Sequence, residues 1–262
     1  TMMSFFMGLI GFTTALVAQY MGAGRKSRCS EVVVQAAGIA VVSCGLVLLL
    51  LPLANLVMDR FGIAPEQLVL QKIYFNLVIY SALVSLFRHV LSCFFSGIGR
   101  TRVIMISALA AMTVNVLADY VLIFGEFGFP ALGIRGAGYG TILGSVCGLA
   151  VLAFSYFSEA NRREFSIPEN LRFVPDSMGK LLRYGSPMGI EMFLNFIAFT
   201  GLIMSFHSHG LVVASAVTIV FNWDMVSYVP LIGLEIGMTS ISGRYMGARS
   251  EEHTSELQSR QS

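Results

Sequence analysis

Asp119 is the residue whose chemistry has to be explained first. It is the only formal charge in the apolar run 103–124, which is long enough to cross a bilayer as a helix. An ionised side chain at that depth costs about 2.5–3.5 kcal/mol even on insertion scales, so such residues as a rule face a cavity or bundle interior and handle ions or protons. Asn115 lies four positions earlier, on the same helix face and one turn away. A carboxylate and an amide carbonyl are hard oxygen donors, suited to Na⁺ or to a proton relay. Asp119 and Asn115 are therefore the candidate cation or proton site. The alternative is a structural carboxylate hydrogen-bonded to a neighbouring helix.

Three further carboxylates sit inside apolar segments. Glu191 falls about 15 Å along its helix from Leu181 at 1.5 Å per residue, near the bilayer midplane. Asp224 and Glu235 are eleven residues apart, close to three whole turns, and share a face. A carboxylate there is neutralised by a proton or by a cationic substrate, and competition between the two is the chemical basis of antiport. Glu191, Asp224 and Glu235 thus join Asp119 as candidate coupling residues. Pro187 and Pro230 interrupt helical runs, and freed carbonyls in lipid are tolerated where helices line a cleft. Pro187 and Tyr228 are candidates for the substrate-facing wall. Lys72, near an outer helix end, is expected to snorkel, and His207 and His209 fall in an outward turn.

The elements that must position these residues follow from hydropathy. Of 262 residues 55 % are hydrophobic and 12 % charged, and the mean hydropathy is +0.74. That is far more apolar than one soluble core requires. Seven segments reach spanning length: 2–21, 32–58, 68–95, 103–124, 137–157, 181–206 and 211–243. Arg25, Lys26 and Arg28, then Arg100 and Arg102 with Arg88 just before them, then five Lys and Arg in 158–183, occupy alternate loops. By the positive-inside rule these three loops are cytoplasmic. Gly97-Ile98-Gly99 has no Lys-Ser/Thr after it and reads as a tight turn, not a phosphate loop. Cys29, Cys44, Cys93 and Cys147 lack CxxC or metal-type spacing and read as packing residues. No Ser/His/Asp or HExxH constellation is present, so an enzyme is not expected.

The polar stretch 161–180, with Pro168 and Pro175, divides an amino-terminal lobe (1–160) from a second lobe (181–249). Tyr20-Met21-Gly22-Ala23 recurs as Tyr245-Met246-Gly247-Ala248, an offset of 225, the mark of parallel halves. Residues 250–262 break in polarity from what precedes them. They look like a translated sequencing adapter and are set apart from the fold.

VAQYMGAGR (17–25), SGIGRTRV (96–103), NVLADYVLIFG (115–125), PALGIRGAGYGT (130–141), YGSPMGIE (184–191) and GRYMGA (243–248) resemble, in this order and spacing, segments of the multidrug and toxin extrusion (MATE) family of secondary transporters. The resemblance implies an all-α polytopic fold of twelve helices in two six-helix lobes around a central cleft, with this chain covering the second through eighth. Asn115 and Asp119 match the family's NxxxD pattern, and Thr141 on the following helix is expected to add a hydroxyl. An acidic partner is expected from a first helix outside the chain. Where some members carry a Glu eight residues after the proline, this chain has Asn195, which joins the expected cleft, with Glu191 one turn earlier. The implied function is export of organic cations or drugs in exchange for H⁺ or Na⁺ by alternating access, with no cofactor beyond the coupling ion. Asp119 and Asn115 would be the ligands if that ion is Na⁺. A multi-pass protein of the bacterial inner membrane is expected, in contact with lipid and not with nucleic acid, and monomeric at full length. A lipid-linked oligosaccharide flippase of the same architecture is the nearest alternative, and a seven-helix receptor a more distant one.

Overall fold

A computed structural model describes residues 2–59 and 65–259. Each apolar run forms a helix: α1 (Met2–Gly11), α2 (Thr13–Gly22), α3 (Lys26–Met58), α4 (Pro65–Gly97), α5 (Thr101–Phe124), α6 (Ile134–Tyr156), α8 (Pro175–His207) and α9 (Leu211–Ser259), with a short α7 (Glu159–Glu164) between α6 and α8. Helices α1 and α2 form one span, 3–22, broken only at Phe12, and seven helices are long and apolar enough to cross a membrane. No strand occurs among the described residues. The protein is a multi-pass helical bundle. Side chains such as Leu49 (74 % exposed), Phe154 (80 %) and Met204 (69 %) point outward, as hydrocarbon-facing residues do, because lipid removes the penalty for exposing them.

Three helix connections meet at one end of the bundle. Gly24 and Gly99 adopt φ of +69° and +70°, where a Cβ is strained. Each closes its helix with a pair of bonds from the residues just past the end: Arg25 N–H to Tyr20 O (2.9 Å) and Gly24 N–H to Met21 O (3.2 Å), and likewise Arg100 to Phe95 (2.8 Å) and Gly99 to Ser96 (3.0 Å). The expected tight turn at Gly97-Ile98-Gly99 is this cap. It delivers Arg100 to Glu164 (2.6 Å), which also receives Lys26 (2.9 Å). The basic loops therefore lie on one side, as their charge predicts.

The stretch 161–180 differs from the polar linker the sequence suggests. Phe165 and Ile167 are buried beneath it, and Phe165 packs edge-on to Phe94 (5.2 Å). Ser30 Oγ donates to Phe165 O (2.8 Å), Asn170 Nδ2 to Ser27 O (3.0 Å) and Gln35 Nε2 to Arg172 O (2.9 Å). Two buried apolar side chains and these hydrogen bonds dock it. Helix α8 begins at Pro175, where proline suits the first turn, six residues before the apolar run. Glu31, buried at this level, is met by Arg28 (3.0 Å) and by the Ser177 hydroxyl. At the other end of the segment list, α9 continues through Ser259, across the break in polarity at residue 250.

Arg88 also departs from its expected place beside the loop. It lies nine residues inside the end of α4, about 13 Å along the helix.

Candidate cation-coupling site

Asp119 is held by the way α5 and α6 pack. Gly136, Gly140, Gly144 and Gly148 recur every fourth residue on α6 and form one small-residue stripe. A Cβ on Gly136 would meet Leu122 O (2.5 Å), on Gly144 Ala111 O and Asn115 Cβ (both 2.8 Å), and on Gly148 Ala111 Cβ (3.0 Å). At Gly140 it would collide with Asp119 Oδ1. The missing side chain is the space the carboxylate occupies.

Within that space Asn115 Nδ2 donates to Asp119 Oδ2 (3.3 Å). Asp119 Oδ1 is buried without a hydrogen-bond partner. The amide thus supports the charged carboxylate as a donor, one turn away as the sequence predicts, while its carbonyl is turned from the carboxylate. An unpartnered buried carboxylate oxygen carries a desolvation penalty of about 1–3 kcal/mol or more, which a proton or a small cation removes. Thr141, next to Gly140, donates its hydroxyl to Ala137 O on its own helix (2.9 Å) and not to Asp119. Among the described residues no three acidic, histidine or cysteine side chains come together. A metal ion at Asp119 would accordingly rely on hydroxyl and carbonyl oxygens.

The candidates on the second half are arranged differently. Glu191, Asn195 and Pro187 on α8, and Asp224, Tyr228 and Glu235 on α9, are all exposed. The side chains of Glu191, Asn195, Asp224 and Glu235 make no hydrogen bond or ion pair among the described residues, and none is brought to Asp119. Pro187 lies between Gly185 and Gly189, which face α1 and would place a Cβ 2.7 Å from Leu9 O and Phe5 O respectively. His207 and His209 are turned onto carbonyls at the end of α8, Ile203 O (2.9 Å) and Ser205 O (2.8 Å), a C-terminal cap. Lys72 meets Asp59 (2.5 Å).

The repeat that marks the two halves is also where they touch. A Cβ on Gly22 would collide with Arg244 O, and one on Gly247 with Gln19 O. The offset of 225 maps Gln19 onto Arg244 and Gly22 onto Gly247, so each contact is the image of the other. Ala18 maps onto Gly243, and these two also meet, at 2.8 Å from an added Cβ to the Ala18 Cβ. Beside them the Ser240 hydroxyl donates to Ser96 O (2.8 Å), and Arg244 Nε and Nη2 reach Gly97 O (3.4 and 3.3 Å). Arg244 thus occupies the Gly97 carbonyl that the end of α4 leaves free, while Ser96 O accepts from Ser240 in addition to Gly99 N–H. The sequence shows the repeat but not that its copies pair, nor the place of Ser240 and Arg244.

The chain is thus a multi-pass helical protein whose two repeat copies pack on each other and whose spans α5 and α6 seat a carboxylate between them. The MatE family profile matches residues 1–121 and 187–258, and the chain belongs to that family. It is 30 % identical over 249 residues to a probable multidrug resistance protein NorM of Thermotoga maritima, covering 92 % of this chain and 52 % of that protein. It is 27 % identical to the Bacillus subtilis protein of the same name, covering 92 % and 54 %. The chain thus spans about half the length of the curated relatives it matches. Among solved structures, MATE in complex with MaL6 superposes with a TM-score of 0.83 at 21 % identity, covering 98 % of this chain and 57 % of that one. An outward-facing multidrug resistance MATE transporter of the MOP superfamily gives 0.82 at 20 % identity, covering 98 % and 57 %.

Proposed function

We propose that the protein to which this chain belongs exports organic cations or drugs across the bacterial inner membrane in exchange for H⁺ or Na⁺. The single observation that carries this reading is the Asp119 carboxylate: held within a spanning helix pair, supported on one oxygen by Asn115 and without a partner on the other. Such a group binds a small cation and releases it when the competing charge arrives. Its relatives are named as multidrug resistance proteins, which supports transport of drugs and no enzymatic step. The reciprocal contact of α2 with α9 closes the lobes at the end that carries the basic loops, and breaking it would open that end while the other closes. Glu191, Asp224 and Glu235 supply an acidic field that favours cationic substrates over the phosphates a flippase would carry. Asn195, Pro187 and Tyr228 lie on the same exposed faces and form the wall of the cleft, which a monomer completes.

The test is ethidium efflux from vesicles containing the full-length protein, driven in turn by an H⁺ and by an Na⁺ gradient. Efflux that accelerates under one gradient, and loses that acceleration in Asp119→Asn, supports the reading. Efflux indifferent to both gradients would end it.

A further inference from the structure

Polar residues that the coupling site leaves unused converge on one face of α4. Ser81, Ser85, Arg88, Ser92 and Ser96 follow at spacings of three and four, a single helical stripe. At one end it is satisfied, the Ser81 and Ser145 hydroxyls lying 3.0 Å apart. Its middle is not. Ser85, Arg88 and Ser92 line a partly open cavity of about 200 Å³, with Met7 of α1 and Ser107 of α5 also on its wall. Among the described residues none of these three makes a side-chain hydrogen bond or ion pair. The other polar groups on the wall are already engaged, Ser107 Oγ with Gly148 O (2.7 Å) and the His89 ring with Met7 O (3.1 Å).

Gly148 makes room for the arginine, since a Cβ there would come 3.1 Å from Arg88 Cδ and 3.4 Å from Nη1. Asp119 cannot neutralise it. The carboxylate sits at Gly140 on the same α6 stripe, two turns or about 12 Å farther along. An arginine at this depth ordinarily has an anionic or carbonyl partner, and its planar fork matches the two oxygens of a carboxylate or phosphate. The cavity's volume of about 200 Å³ is about seven times the ~30 Å³ share of one water, room for such a group.

The geometry points to an oxyanion site in the inner half of the first lobe, in which Arg88 and the hydroxyls of Ser85 and Ser92 hold a carboxylate or a phosphate. The group comes either from a small free anion or from a lipid headgroup, and the two sources separate experimentally. For the free anion, calorimetric titration of the full-length protein with benzoate and with inorganic phosphate reads affinity directly. For the lipid, native mass spectrometry after extraction from phosphatidylglycerol vesicles counts retained lipid. Arg88→Gln should weaken benzoate or phosphate at least tenfold, or remove one retained phosphatidylglycerol, while Arg88→Lys keeps most of the binding. The double variant Ser85→Ala and Ser92→Ala should weaken the same ligand severalfold and decides the matter if Arg88→Gln does not fold. Binding and lipid retention that are the same in these variants as in the parent overturn the site. Neither result bears on ethidium efflux, which reads Asp119.

Discussion

The α5–α6 pair and the α8–α9 pair both carry carboxylates at membrane depth, and they hold them in opposite ways. On α5, Asp119 is fixed by the Gly140 gap and by Asn115, with one oxygen supported and one bare. On α8 and α9, Glu191, Asp224 and Glu235 stand exposed, and those helices meet the first half through Gly185, Gly189, Gly243 and Gly247. A carboxylate seated between two helices has a defined affinity for its ion, because its surroundings are fixed before the ion arrives. Carboxylates on an open face contribute a field and adapt to what enters. We propose from this contrast that ion coupling belongs to the first half and substrate attraction to the second.

The contrast breaks most severely at Gly140. Gly140→Leu must push α6 off α5 or evict the carboxylate, a cost of about 1–3 kcal/mol or more for an overpacked interface. Thermal unfolding in detergent should show a large drop, while Gly179→Leu, where a Cβ meets nothing within 4 Å, should leave the midpoint nearly unchanged. Next in size is the contact between halves. Gly22→Leu and Gly247→Leu meet mirror-image obstacles, so both should shift the protein toward the state open at the basic-loop end. Maleimide labelling of a cysteine placed at Gln19 should rise severalfold in Gly247→Leu. Equal labelling would mean the two copies do not close the lobes.

Smaller effects sharpen the same picture. Removing the arginine in Arg244→Ala frees Gly97 O and should produce the same labelling change at reduced amplitude, since part-exposed bonds of this kind are worth about 1 kcal/mol. At the basic-loop end, the bonds from Lys26, and then from Arg100, hold the Glu164 carboxyl below its usual range. Its folded value lies below its unfolded one, so its contribution is complete above the unfolded value and is lost as pH falls through the folded one. Because the pair is partly solvated, Glu164→Gln should cost less than about 1 kcal/mol at pH 7, and the cost should shrink as the pH falls below the usual carboxylate range. Smallest of all, Asp224→Asn and Glu235→Gln should each change the apparent ethidium affinity about twofold, as expected for a screened exposed charge, and leave ion dependence intact.

Much of this arrangement is legible in the residues. Apolar runs locate every span, and the four-residue spacing of Asn115 and Asp119 gives their contact, because a helix fixes the geometry of such a pair locally. Non-local packing is where legibility ends. The glycine repeat of α6 is visible as spacing, yet nothing in it says that Gly140 faces Asp119 or that Thr141 turns its hydroxyl to Ala137 O. Arg88 counts as a loop cation when charges are assigned to the nearest loop, whereas α4 is long enough to draw it well inside. The Ser81 to Ser96 stripe was the signal for it. Phe165 and Ile167, two apolar residues in a polar stretch, were too little to announce that the linker docks.

The most direct measurement of the account is ion release on substrate binding. Saturating tetraphenylphosphonium added to the purified full-length protein in weak buffer should release about one coupling ion per molecule, read as a pH change for H⁺ or as ²²Na⁺ for Na⁺. Asp119→Asn should bind the substrate and release none, while Glu191→Gln should still release it. Release from Asp119→Asn equal to that of the parent would contradict the assignment of coupling to the α5–α6 carboxylate.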